Sequence, residues 1–436
     1  MKSCYICVTA FFLPMSNEFL FRLLISVVAL ILTDTLLYFG LRRLLVKQGR
    51  KSPGSKRFKW TYLSITLIFA LYAVVHYLYL KYFGYGPDAY RQSFFITGVF
   101  LLLYLPKIVM LCFILVGRAL LFIFQLISYL IYRRGHYDFV RRTRKFKVLS
   151  WVGFVMGILM FGCVLYGMLY TRTDYRVKNV SLSYRNLPPS FNGVRVLVIA
   201  DVHLGSFFNT RELFPAFQKM NELNPDMIIF AGDMINVSAE ETQPYINFFA
   251  EMKPPLGKYS VLGNHDQDDY MKFTKSPDRE ITETQLMLAQ QAMGFSLLRN
   301  EHLFIRKGND SIAMIGVDSW GHPPFHAYGD LKKAMNGVPS QGFKILLSHI
   351  PNHWAEEVKG KTNIDLTIAG HTHAAQIGID EPWLQWSPIV YKYPLYMGLY
   401  QWGNQYLYVN TGLGYIGFPG RIGIAPEITM ITLNRK

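Results

Sequence analysis

Four long apolar stretches within the first 170 residues constrain this chain more than any other feature: about Phe19 to Leu45, Trp60 to Tyr82, Phe94 to Tyr132 and Val148 to Tyr170. Each reaches the ~20 residues that a helix needs to cross the hydrocarbon core of a bilayer. The first is too long for a cleavable leader and has no A-x-A-like cleavage site. The third is too long for one span at ~1.5 Å per residue. Either one helix extends out of the bilayer, or two short spans turn near Leu105 to Lys107. Charge separates these alternatives. The segments 42–59 and 133–147 are strongly basic and 81–91 is not, and basic loops stay cytoplasmic. Four spans keep both basic loops inside, whereas five would strand one outside. Four spans are therefore expected. They put the N-terminus and everything after Tyr170 on the outer side, which is the periplasm in a Gram-negative cell.

The charge balance supports the same division. The chain carries a formal net charge of +16, but residues 1–178 hold 24 of its Lys and Arg against 5 Asp and Glu, and the remainder holds 21 against 24. The basic surplus thus belongs to the membrane half, and nucleic acid is disfavoured as a partner because such affinity rests on cationic contacts. All four cysteines (Cys4, Cys7, Cys112, Cys163) lie in that half too, so the polar half has neither a disulfide framework nor a thiolate metal site. Cys4 and Cys7 form a C-x-x-C that lacks the βαβ context of a redox motif. Asp34, Lys107 and Arg118 sit inside apolar runs. They are read either as snorkelling ends and a satisfied pair within the bundle, or as part of a transport path. The expected organisation is a transmembrane region over 1–172 and a polar domain over 173–436.

In the polar domain the pattern changes to short Val, Ile and Leu runs separated by helical stretches such as Arg211 to Leu223, Ala239 to Met252 and Thr282 to Met293. Continuous apolar runs suit strands covered on both faces. The alternation predicts an α/β domain, in which ligands bind beyond the carboxyl ends of the strands. Those ends carry, in order, Asp201 and His203, then Asp233, then Asn264, His265 and Asp266, then His349, then His371 and His373. Carboxylate, imidazole and amide oxygen without thiolate suit borderline or hard divalent ions such as Mn, Fe, Zn or Ni. Seven such ligands exceed what one octahedral ion with room for water can use. Two ions sharing a carboxylate fit the count. His371 and His373, at i and i+2 of an extended loop, would point the same way and could each serve a different ion of the pair. No G-x-x-x-x-G-K-[ST] loop is present, which disfavours a P-loop ATPase.

The ordered set D-x-H (201–203), G-D (232–233), G-N-H-D (263–266), His349 and G-H-x-H (370–373) resembles the calcineurin-like metallophosphoesterase family, and the ending from Asn410 resembles its membrane-anchored bacterial branch. The resemblance implies an αββα sandwich with a dinuclear site at its edge. It implies that Asp201, His203 and His373 hold one ion, that Asp233 bridges, and that Asn264, His349 and His371 hold the other, with manganese favoured. His265 would protonate the leaving oxygen, with Asp266 orienting or charging it. The implied activity is hydrolysis of a phosphomonoester, phosphodiester or pyrophosphate by attack of a metal-activated hydroxide. A membrane tether favours a lipid-linked or envelope substrate. The alternative is a membrane sensor or transporter whose outer domain binds a phosphorylated ligand. Oligomeric state is not legible.

Three further features are open at this stage. The stretch 380–408 is dense in Trp and Tyr, which suits a membrane–water boundary or an ordinary hairpin packed on the sandwich; exposed rings are expected among Trp383, Trp386, Tyr391 and Tyr393. Arg421 is read as a surface residue or a contact for substrate phosphate. His322, His326 and His353 are expected at the solvent surface, with a rim loop over the metals as the other reading for the first two.

Overall fold

The computed structural model of the chain describes residues 17–45, 54–83, 86–132, 139–267, 276–321 and 326–436. It divides into two compact units, one of 1–84 with 95–166 and the other of 85–94 with 167–436. Cys4, Cys7 and His322 lie outside the described residues.

The apolar stretches form four helices: α1 (Asn17–Leu45), α2 (Gly54–Phe83), α3 (Pro87–Tyr132) and α4 (Phe139–Leu169). Helix α3 runs unbroken through Pro106, so the third stretch is one long helix, as the basic loops required. Among the described residues three helices are long and apolar enough to cross a membrane, within Leu63–Leu80, Pro87–Ile127 and Val148–Thr173, and α1 adds the apolar stretch Val27–Leu41. Inside this unit Asp34 is fully buried and pairs with Lys107 at 2.8 Å. Tyr104 donates a hydrogen bond to the same carboxylate at 3.1 Å, and Thr66 donates another. Burying a lone charge in such a bundle is expensive, and this one is paired and fully solvated by side chains. Asp34 and Lys107 are thus the satisfied internal pair.

The second unit is built on two six-stranded sheets. The first has the order β1-β14-β2-β3-β4-β5, with β1 Arg176–Tyr184, β2 Val194–Ile199, β3 Met227–Phe230, β4 Lys258–Ser260, β5 Phe295–Leu297 and β14 Glu427–Arg435. Strands β2 to β5 pair in parallel, and β14 is wedged between β1, parallel, and β2, antiparallel. The second sheet has the order β12-β13-β9-β8-β7-β6, with β6 Glu301–Lys307, β7 Asp310–Gly316, β8 Lys344–Leu347, β9 Leu366–Ala369, β12 Gly398–Trp402 and β13 Gln405–Val409.

Strand β2 shows why the sheets stack. Val194, Val196 and Val198 pack with Ile345, Leu347 and Ile368 of the other sheet, while Leu197 and Ile199 on the opposite face join Phe217 and Phe249 of α5 (Phe214–Glu222) and α6 (Ile246–Glu251). Period-two alternation with both faces apolar demands cover on both sides. The outer face of the second sheet is covered by α8 (Leu331–Ala334) and a π-helical turn, Trp354–Val358. Helix α7 (Ser276–Ala292) places Leu286 in the first outer core. The layering is helix, sheet, sheet, helix, as expected. A small antiparallel hairpin of β10 (Ile379–Glu381) and β11 (Leu384–Trp386) stands apart from both sheets.

Candidate metal centre

The parallel strands β2, β3, β4, β8 and β9 end at one edge of the sandwich, and the residues singled out in the sequence follow directly after them. Asp201 and His203 follow β2, Asp233 follows β3, Asn264 to Asp266 follow β4, His349 follows β8, and His371 and His373 follow β9. Their side chains converge. Asp201, His203 and His373 form one cluster that could hold a metal ion, Asp233, His349 and His371 form a second, and His203, Asp233 and His265 form a third that overlaps both; within each cluster the donor atoms lie within 4.8 Å of one another. Asp233 joins the first two, its Oδ2 standing 3.2 Å from His349 Nε2 and 3.7 Å from His203 Nε2. Asn264 Oδ1 reaches His371 Nδ1 at 2.8 Å.

The local backbone explains how five separate loops deliver these groups to one place. Asp201, His203, Asp233, His371 and His373 all adopt left-handed conformations, with φ between 48° and 73°. Such a conformation costs a non-glycine residue roughly 1–3 kcal/mol, and clusters of it are a mark of functional sites. It also corrects one expectation. His371 and His373 do serve different clusters, but by a left-handed turn at each residue and not by the alternation of an extended loop. The motif glycines supply clearance: a Cβ on Gly263 would overlap the Asp233 carboxylate, and one on Gly370 would overlap that of Asp201.

Hydrogen bonds fix the ring tautomers. His203, His265 and His349 each present Nδ1 to a main-chain carbonyl, of Ile235 at 3.2 Å, Asn236 at 2.8 Å and Ala231 at 2.8 Å. A carbonyl only accepts, so Nδ1 carries the hydrogen and the Nε2 lone pair is left facing the site. His371 is turned the other way, with Nε2 on the Tyr393 hydroxyl at 3.0 Å. Asp266 accepts hydrogen bonds from the main-chain N–H of Asp233, Met234, Ile235 and Gly263, so its carboxylate ties the turn after β3 to the turn after β4.

These groups fit divalent cations. Asp201, His203, Asp233, Asn264, His349 and His373 are all nearly or fully buried. His203 Nε2 and His373 Nε2 face each other at 3.0 Å. His349 Nε2 is fully buried and makes no aligned hydrogen bond, with the carboxylates of Asp233 and Asp201 standing 3.2 and 3.9 Å away, a grouping in which a cation could take the ring's lone pair and the carboxylate oxygens together. Charge in the cluster reflects the same need. Burial and the neighbouring Asp233 push the Asp201 carboxyl up to about 8. Burial alone would lower His349, but Asp233 and Asp201 outweigh it and hold the ring at about 9. Burial, then the His265 ring, drives His203 down to about 3. A divalent cation among these groups would favour the ionised Asp201 and the neutral rings, which are the coordinating forms.

Several residues fall elsewhere than expected. Arg421 is fully buried, donating to the carbonyls of Thr411, Gly412 and Gly414 with Nη2 at 3.5 Å from His373 Nδ1, so it braces the site from behind. His353 is fully buried too, between Ser348 Oγ at 2.8 Å and Glu357 Oε2 at 3.3 Å, with its ring stacked on Trp320. His326 is exposed, as expected. Of the four rings proposed as exposed, Trp383, Trp386 and Tyr391 are, but Tyr393 is buried against His371. Nothing local distinguishes Tyr393 or Arg421 from the other 27 tyrosines or the remaining arginines; only the fold brings them to the cluster.

Comparison with known proteins agrees with this geometry. Residues 194–375 match the calcineurin-like phosphoesterase family, and residues 18–172 match a family described as the transmembrane domain of a probable calcineurin-like phosphoesterase. A transmembrane protein with metallophosphoesterase domain from Danio rerio is 30% identical over 62% of this chain and 60% of its own length. Its counterpart in Bos taurus is 28% identical over 75% of this chain and 71% of its own length. The uncharacterized metallophosphoesterase YkuE of Bacillus subtilis is 30% identical over 57% of this chain and 81% of its own length.

Proposed function

The chain belongs to the calcineurin-like metallophosphoesterases, in the form that carries an N-terminal transmembrane region, and from that membership we propose that it is a dinuclear-metal hydrolase of a phosphomonoester, phosphodiester or pyrophosphate bond. The observation that carries the reading is the double cluster: two sets of buried nitrogen and carboxylate donors that meet at Asp233.

In this reading Asp201, His203 and His373 hold one cation, Asn264, His349 and His371 hold the other, and Asp233 touches both. Oxygen and imidazole donors without thiolate suit Mn, Fe, Zn or Ni, and of these we take manganese as the favoured ion. When bound, the pair would polarise the phosphoryl oxygens and lower the pKa of a water. The protein's own groups do the rest. The carbonyls of Ile235 and Ala231 hold the ligand rings in the coordinating tautomer. His265, donating through Nδ1 to the Asn236 carbonyl, presents Nε2 to the cavity; protonated there to the imidazolium, it would give that Nε2 proton to the departing oxygen and return to the neutral ring. Asp266 acts by positioning, since it clamps the two turns that carry Asp233 and Asn264. The basic loops 42–59 and 133–147 support a position on the outer face of the membrane for the catalytic domain, taken as 173–436, and from there lipid-linked or envelope phosphoesters would be within reach.

The test is turnover of p-nitrophenyl phosphate and bis-p-nitrophenyl phosphate by the full chain with Mn²⁺. We expect metal-dependent hydrolysis that Asp233→Ala abolishes. His265→Ala should lose ~10²–10⁴-fold on an alkyl phosphate, the usual range for a general acid, and much less on a nitrophenyl ester whose acidic leaving group needs no proton. Failure of wild type to hydrolyse any phosphoester with any of these metals would overturn the reading.

A further inference from the structure

The hairpin β10–β11 has its alternation inverted. Register pairs Ile379 with Trp386, Asp380 with Gln385 and Glu381 with Leu384. Successive side chains point to opposite faces of a strand, so Ile379, Glu381, Leu384 and Trp386 share one face, three of the four apolar, and Asp380 and Gln385 share the other. A hairpin on a water-exposed domain turns its polar face outward. Here the polar face is pinned to the protein. Asp380 is half-buried and pairs with Lys178 of β1 at 2.7 Å, and Gln385 donates to Asp380 at 3.0 Å. The mainly apolar face looks out: Ile379, Leu384 and Trp386 are exposed alongside Glu381, and Trp383 at the turn is 76% exposed. Tyr391, in the short helical turn that follows, is 78% exposed.

What covers this face is indicated by where its base is fastened. Gly378 donates to the carbonyl of Ile422 at 2.9 Å, and Ile377 bridges to Ile422 and Gly423. The neighbouring Arg421 donates its N–H to the carbonyl of Gly167 at 3.1 Å. Gly167 lies in the last turns of the apolar helix α4, in the stretch Val148–Thr173 that is apolar enough to span a membrane. The hairpin is therefore rooted at the residues where the chain leaves the bilayer. Leu169 and Tyr170 beside that point are themselves exposed apolar side chains. Trp and Tyr prefer the boundary between headgroups and acyl chains, where an apolar ring and a polar edge are both accommodated.

We infer that the outward face of the β10–β11 hairpin, led by Trp383, is seated in the interfacial layer of the lipid bilayer. The consequence for the site is direct. Ser387 Oγ at the end of the hairpin donates to the carbonyl of Ala374 at 2.7 Å, and Tyr393 just beyond it touches His371. A hairpin held at headgroup level holds the metal cluster near phosphates carried at that level. The seating of the hairpin requires only the membrane spans; the bearing on phosphates rests on the hydrolase reading.

The experiment uses the full chain in phosphatidylcholine vesicles, with and without bromine on the upper acyl chain. The emission of Trp383 is taken as wild type minus Trp383→Phe, an exchange at an exposed position that leaves the fold intact, as matching thermal unfolding verifies. That difference emission should be quenched about twofold or more by brominated lipid, as expected for an aromatic ring at the acyl boundary. Equal difference spectra in both vesicles would overturn the inference, because then the hairpin meets water or another protein. A Leu384→Ser, Trp386→Ser variant adds a second reading. Its turnover of a phosphoester borne on a long acyl chain in vesicles should fall, with soluble p-nitrophenyl phosphate unchanged. An equal effect on both substrates would overturn the link between hairpin and substrate. Quenching without any hydrolysis would sink the hydrolase reading and leave the hairpin's seating standing.

Discussion

At the scale of single residues, the site is a set of imidazoles aimed by their second nitrogen. Three of the rings are aimed by main-chain carbonyls, which no substitution of a side chain can remove. His373 and His371 differ, because their second nitrogens meet side chains: Arg421 Nη2 at 3.5 Å from His373 Nδ1, and the hydroxyl of Tyr393 at 3.0 Å from His371 Nε2. Tyr393→Phe removes that oxygen and little else. Loss of such an outer partner usually costs 10–100-fold in metal affinity, so we expect roughly that weakening in a Mn²⁺ titration, with turnover restored at saturating metal. A variant that needs no more metal than wild type would show that Asn264 alone orients His371. The donors were legible in the sequence because each set follows a strand, and three of those sets open directly after a glycine, Gly232, Gly263 or Gly370; two of these have a physical reason to be there, since Gly263 and Gly370 leave space for the carboxylates of Asp233 and Asp201. The contacts that Tyr393 and Arg421 make with the cluster were not legible, although both residues drew attention in the sequence. Each acts across the fold, from 22 and 48 residues beyond the histidine it touches, and no local spacing encodes such a contact.

At the scale of elements, the expected strands appear but end sooner than their apolar runs, because the last residues of each run bend into the left-handed turns that carry the ligands. The run 194–205 yields β2 over Val194–Ile199 only. The helical stretch from Ala239 divides into a 3₁₀ turn to Tyr245 and the short α6, with Pro244 at the break, as the missing N–H of proline dictates. His353 shows an element-level error of another kind. It was expected in solvent because it lies between β8 and β9 near polar residues, yet its ring locks the π-helical turn to Ser348, the neighbour of His349. Burial drives this ring down to about 4, against the pull of Glu357. A folded value below the unfolded one means that the stabilisation is complete above about 6.5 and drains away as pH falls through about 4. The full span is worth roughly 3 kcal/mol. Chemical denaturation of wild type against His353→Gln should show the wild type losing its advantage between pH 7 and pH 4. A constant difference across that range would mean that the ring is charged, or accessible, throughout.

At the scale of the whole molecule, the same cations that serve chemistry should serve stability. A ligand that binds only the folded chain stabilises by about 2.7 kcal/mol at a hundredfold excess over its Kd. For a domain of this size that shifts the melting temperature by roughly 5–10 °C. Stripping the purified full chain with EDTA should lower its Tm by that amount, and Mn²⁺ should restore it; Asp233→Ala should respond far less. An indifferent wild type would mean that the strained turns and buried carboxylates are held without metal. Division of the chain into a membrane region and a polar one was legible from charge and hydropathy alone, since bilayers impose a length and a polarity that sequence displays directly. The pairing of Asp34 with Lys107 was one of two open readings, and packing selected it.

One feature of the first sheet bears on how the protein is made. Strand β14 fills the gap between β1 and β2, joined to the former over nine residues and to the latter over five, yet it is the last strand of that sheet to leave the ribosome. Until it arrives, the edge of β2 next to Asp201 has no neighbour on that side. A nascent chain therefore closes this sheet around the strand that leads into Asp201 only once β14 has been made.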